Sequence, residues 1–62
     1  MKTKPDGTGA WLVQNKNGSW WPAIVIKDFE NNFEAMIVNI TRWHPTEWLS
    51  MNGWENWKRP ED

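Results

Sequence analysis

Apolar residues fall in short blocks along the first two thirds of the chain, and clusters of Asn, Gly and Asp separate the blocks. Ala10-Trp11-Leu12-Val13-Gln14 is the first block and predicts a short strand. Asn15-Lys16-Asn17-Gly18 follows, and its Asn-Gly pair is a strong hairpin signal because both residues tolerate positive φ. A second strand is expected from about Ser19 to Lys27, with β-branched Ile24-Val25-Ile26 at its centre. Pro22 cannot donate to a ladder and so belongs at a bend, a bulge or an edge of that strand. Asp28-Phe29-Glu30-Asn31-Asn32 is polar around one aromatic and predicts a second turn. The third strand, Phe33 to Ile40, is apolar on both sides, with Phe33, Ala35 and Ile37 on one and Met36, Val38 and Ile40 on the other. A strand with one solvated face alternates apolar with polar, so part of this surface is expected to meet another element or another chain.

The ends are less patterned. Residues 1–8 show no apolar period and read as a flexible leader ahead of one domain spanning 9–62. The C-terminal third admits two readings. One is a helix that starts near Pro45, with Thr46 and Glu47 in its first turn, Trp48 and Met51 on one face and Gly53 just past its end. The other is a fourth strand through Thr41-Arg42-Trp43 and a short fifth strand over residues 53–57. The two coexist if a short helix or 3-10 turn near residues 45–52 lies between short strands. Five strands with tight turns and a bent second strand point to a mainly β domain, a small five-stranded SH3-like barrel whose closure removes exposed edges.

Composition sharpens this picture. The chain has 62 residues, seven of them Trp, and neither Tyr nor Cys. A domain of this size buries only about 60% of the surface its unfolded chain exposes, and each indole carries on the order of 150–250 Å². Seven indoles therefore cannot all be interior. Trp11, Trp20, Trp54 and Trp57 are assigned to the core or to closing the barrel, and Trp21, Trp43 and Trp48 to a ligand or partner surface. Without Cys there is no disulfide or thiol chemistry, which fits a reducing compartment. No apolar run is long enough to span a bilayer and no signal-peptide core follows Met1, so the chain is expected to be a complete, soluble cytoplasmic product, or a nuclear one if its source has a nucleus.

Charge and motifs exclude several classes. Seven Lys and Arg against eight Asp and Glu leave a net charge of −1, which supplies no field for a polyanion and makes nucleic acid a less favoured partner. His44 is the only histidine, with Glu47 three residues on, but no nucleophile or second metal ligand is arranged with it. Gly7, Gly9, Gly18 and Gly53 form no phosphate-binding pattern. No enzyme, metal or cofactor is expected.

Ser19-Trp20-Trp21-Pro22-Ala23-Ile24-Val25, preceded by Trp11-Leu12-Val13 and Gly18, resembles the motif that names the PWWP domains of the Tudor and chromo-barrel group. The resemblance implies a five-stranded barrel and a reader function, with an aromatic cage for methylated lysine beside a surface that touches DNA. It gives Trp21 a cage-wall position and Trp20 a packing position. Gly18 stands where a second cage aromatic is expected, and the third falls near Val38 or Asn39, so a complete cage requires Trp43 or Trp48. Cation–π attraction would be its source of affinity.

Three functions compete. The leading one is a non-enzymatic module that binds a protein or peptide on a Trp-lined surface. The second is a homo-oligomer or small assembly subunit whose indoles form the interface. The third is a nucleic-acid binder that stacks bases on exposed indoles, which requires a basic groove.

Overall fold

The structure is a computed structural model that describes residues 4–61. Strands β1 (Gly9–Gln14), β2 (Trp20–Lys27), β3 (Phe33–Ile37), β4 (His44–Pro45) and β5 (Asn56–Lys58) form one antiparallel sheet in the order β4-β3-β2-β1-β5. A short helix, α1 (Thr46–Met51), connects β4 to β5. The mainly β, five-stranded architecture with a helical turn inside residues 45–52 agrees with the sequence, and the two readings of the C-terminal third do coexist. The sheet is not closed. β4 and β5 are its two edges, and at two and three residues they are too short to complete a barrel wall.

The two hairpin turns share one design. Asn15 N–H donates to the Ser19 carbonyl and Gly18 N–H to the Asn15 carbonyl, each at 3.0 Å. Asp28 N–H donates to the Asn32 carbonyl at 2.9 Å and Asn31 N–H to the Asp28 carbonyl at 3.1 Å. In both, the side chain of the first residue accepts two further backbone N–H groups: Asn15 Oδ1 from Asn17 and Ser19, and Asp28 Oδ1 from Glu30 and Asn32. The fourth residue is left-handed in each case, Gly18 at φ 88° and Asn31 at φ 63°. This is the three-residue hairpin loop ending in a left-handed residue, not the two-residue Asn-Gly turn, so Asn17 needs no positive φ. Asn and Asp at the first position specify it because a short side-chain oxygen reaches N–H groups two and four residues on.

β2 is long enough to serve two partners. Trp20 to Val25 pair with β1, and Ala23 to Lys27 pair with β3. Pro22 lies opposite Leu12, and its carbonyl accepts Val38 N–H at 3.0 Å. A strand residue points its N–H and C=O to the same side, so the donor that Pro22 lacks would face the β3 side, at the last rung of that ladder. Pairing with β1 is untouched, and the edge position expected of Pro22 is met on one side only.

The third strand is shorter than expected. It stops at Ile37, where Val38 and Asn39 form a turn and Ile40 N–H donates back to the Ile37 carbonyl at 2.7 Å. The turn returns Ile40 to the core while Val38 stays outside. The expected strand through Thr41-Arg42-Trp43 begins instead at His44, and that over 53–57 is moved to Asn56–Lys58. Gly53 causes the second shift. At φ 94° it ends α1, and Trp54 N–H bonds the Leu49 carbonyl at 2.9 Å, the 6→1 bond of a glycine C-cap.

The core is one cluster: Trp11, Val13, Ala23, Val25, Ala35, Ile37, Leu49 and Trp57, with Trp21, Phe33, Ile40 and Trp54 packed at its margin. α1 covers the inner face of the sheet through Leu49, which is fully buried, while Trp48 and Met51, expected on one face of the helix, are both exposed. Residues 4–8, the described part of the expected leader, contact the rest of the domain. Pro5 is buried, Trp11 Nε1 donates to the Gly7 carbonyl at 2.9 Å, and Arg59 Nη1 donates to the Thr8 and Ala10 carbonyls at 3.0 and 3.2 Å. The guanidinium lies 4.1 Å from the Trp11 ring centroid, so one cation ties the segment before β1 to the segment after β5. The first three residues of the expected leader lie outside the described residues.

Candidate functional site

The inner face of the sheet carries Trp11 and Val13 of β1, Ala23 and Val25 of β2, and Ala35 and Ile37 of β3. Period-two alternation then sends their neighbours outward. On a half-buried sheet those neighbours are ordinarily polar. Here the register sets Ala10 beside Ile24 and Ile24 beside Met36, and in the next row sets Leu12 between Pro22 and Lys58. Ile24 is 53% exposed and Val38 64%. The two-sided apolar character read from the third strand is thus explained by a core face and an uncovered outer face.

The outer face is concave. A cleft of about 510 Å³ lies along β1, β2 and β3, lined by Leu12, Pro22, Ile24, Met36, Val38 and Pro60 and also by Trp11, Ala23, Ile37 and Ile40 of the core cluster and its margin. Its volume falls within the range of small-ligand or side-chain pockets, about 300–1,000 Å³, and its lining is almost entirely apolar. Lys58 stands at one end of the face, its ammonium 4.4 Å from the centroid of the Trp20 ring. A second cavity of about 390 Å³ lies by the second turn, lined by polar groups including Asp28, Asn32 and Glu47, with Lys4 already 3.8 Å from Glu47.

The indoles separate differently from the sequence expectation. Trp11 and Trp57 are buried and Trp54 packs at the core margin, as assigned. Trp20 and Trp21 exchange roles. Trp21, assigned to the partner surface, faces inward opposite Val13, packs against the core, and has a buried Nε1 with no hydrogen-bond partner. Trp20, assigned to the core, is 38% exposed on the outer face. The cause is register: the turn ends at Ser19, so Trp21 shares the inward parity of Ala23 and Val25, and Trp20 that of Ile24. An N–H buried without a partner costs about 1–3 kcal/mol, which the packing of Trp21 must offset.

Trp43 and Trp48 are 42% and 43% exposed. The Trp48 ring stacks on His44, centroids 4.2 Å apart and planes 15° off parallel. His44 pairs with Ala35, which pairs with Val25, whereas Trp21 lies four residues earlier on β2, roughly 13 Å along the strand. Trp21 therefore lies apart from the His44–Trp48 stack, and the exposed apolar features of the described residues include the outer cleft, that stack and the exposed Trp43. Sequence reasoning missed Ile24, Met36 and Val38 as site residues, although the two-sided third strand was their signal.

Among the described residues no group of three His, Cys, Asp or Glu side chains is placed to hold a metal ion, and no helix is long and apolar enough to cross a membrane. Comparison with protein families, characterised proteins and solved structures finds no match to this chain.

Proposed function

We propose that this protein is a non-enzymatic binding module that holds a protein partner in the apolar cleft on the outer face of its sheet. The observation that carries the reading is the cleft itself: on one small domain, Ile24, Met36 and Val38 form a continuous apolar surface that contributes nothing to the core. Isolated exposed apolar residues are ordinary, but contiguous ones rimmed by polar groups mark interaction sites. Trp20, with its ring held by Lys58, supplies an aromatic anchor at one end of the same face. The five antiparallel strands and the helical turn before the last one support kinship with the PWWP and Tudor group, but the partner contact we assign is the apolar cleft and not a methyl-lysine cage, because Trp21 faces the core. A protein partner also fits the net charge of −1 better than nucleic acid does.

Site-directed photo-crosslinking tests the reading. A benzophenone side chain in place of Val38 should give protein adducts in cells, and Ile24→Lys should remove them while leaving the circular-dichroism spectrum unchanged. Adducts that persist with Ile24→Lys, or that form only with nucleic acid, contradict it.

A further inference from the structure

The two turns are superimposable in design, but they differ at the tip. Lys16 occupies the second position of the first turn and Phe29 that of the other. Nothing in the turn requires an aromatic there, since its hydrogen bonds use Asp28, Glu30, Asn31 and Asn32. Phe29 is nonetheless fully exposed, at 107%. An apolar ring at a turn tip and an apolar cleft on the sheet face thus stand on one molecule, and they cannot meet within it. Phe29 follows Ile24 by five residues along the β2 direction, roughly 17 Å away, on a hairpin that points away from the cleft.

Charge matches the two features. Phe29 is flanked by Asp28 and Glu30. Lys58 pairs with Leu12 of the cleft lining, and Arg42 follows Thr41 of the same lining. Toward the other end of the cleft Glu34 pairs with Ile26, and Glu61 follows Pro60 in the chain. The cleft therefore has a basic end that suits an acidic turn tip. Basic Lys16, at the same place in the first turn, is the wrong partner for that end.

We propose that the occupant of the cleft is the Asp28-Phe29-Glu30 turn of a second copy of this chain, exchanged reciprocally about a two-fold axis. The inference rests on the cleft being a protein-binding surface and names its partner. Reciprocal exchange gives a closed dimer, because the same two patches meet twice and neither is left to extend a chain. The small core gives a further reason for association: a domain below about 70–80 residues gains from burying apolar surface against a partner.

Mass by sedimentation equilibrium, from low micromolar to millimolar protein, tests the proposal with two variants. Phe29→Ser removes the ring and keeps the cleft; Ile24→Lys spoils the cleft and keeps the ring. Both sites are exposed, and circular dichroism verifies the fold of each variant. The parent should dimerise at the higher concentrations, and each variant alone should weaken dimerisation by at least about tenfold, a loss of 1.4 kcal/mol. The equimolar mixture should associate more strongly than either variant alone, because one intact cleft then meets one intact ring. A parent that stays monomeric at millimolar concentration overturns the proposal, as does a mixture no better than its components. Crosslinks from position 38 to a different protein, with a monomeric parent, would leave the cleft as a binding site and remove only the self-docking. No dimer and no adduct would remove both.

Discussion

On β2, Val25 is fully buried and Ile24 beside it is 53% exposed, yet both are β-branched aliphatics that only their parity on the strand tells apart. On β3 the same parity separates Ile37, which is buried, from Met36, which is half-buried and lines the cleft. The inner face of the sheet is apolar because it must be: with Leu49 of α1 it makes the one core this domain has. The outer face is apolar without that compulsion. Folding alone would accept Thr, Lys or Glu at positions 24, 36 and 38, as half-buried sheets usually do. On the proposed function, the difference separates what the chain keeps for stability from what it would present to a partner.

The sharpest way to test that separation is from the inner side. Ile37→Ala should cost about 3 kcal/mol, within the roughly 2–5 kcal/mol of buried Ile to Ala truncations. A domain of this length holds only about 3–9 kcal/mol in total, so urea unfolding should find the variant at the margin of folding. Asp28→Ala comes next. It deletes two side-chain to backbone hydrogen bonds in the turn that carries Phe29, and the midpoint of unfolding should report a loss of about 1 kcal/mol. Lys58→Gln removes the ammonium over Trp20 on the outer face; for a half-buried cation–π contact at the surface the expected cost is about 0.5 kcal/mol, read from thermal melts. Ile24→Ser is the smallest change in stability, within about 0.5 kcal/mol of the parent, and should still remove crosslinking from position 38. A loss near that of Ile37→Ala would place Ile24 in the core's account of stability and erase the contrast between the faces.

Much of the fold was legible because local rules act within a few residues. Asn15 with Gly18, and Asp28 with Asn31, fix both turns, and the apolar, β-branched and aromatic blocks between them define β1, β2 and β3. The barrel closure was not legible, since it depends on how far β4 and β5 extend, and Pro45 and Gly53 cut those strands to a few residues. The site was read in part. Trp43 and Trp48 are exposed, but Trp20 and Trp21 were exchanged because inward parity is set by where the turn ends, one residue of register that composition does not reveal. The cleft was not legible for a related reason: Ile24, Met36 and Val38 become one surface only through cross-strand pairing. The contacts of residues 4–8 with Trp11 and Arg59 were not legible, because Arg59 is remote in sequence and both side chains contact backbone carbonyls that every residue has.

The most direct test of the account is the amide NMR spectrum of the triple variant Ile24→Ser, Met36→Gln, Val38→Thr, which turns the outer face polar and leaves the inner face intact. The account predicts a dispersed spectrum in which the indole signals of Trp11 and Trp57 stay near their parent positions. A collapsed spectrum would mean that the outer apolar face is needed for folding, and would contradict its assignment as a surface kept for a partner.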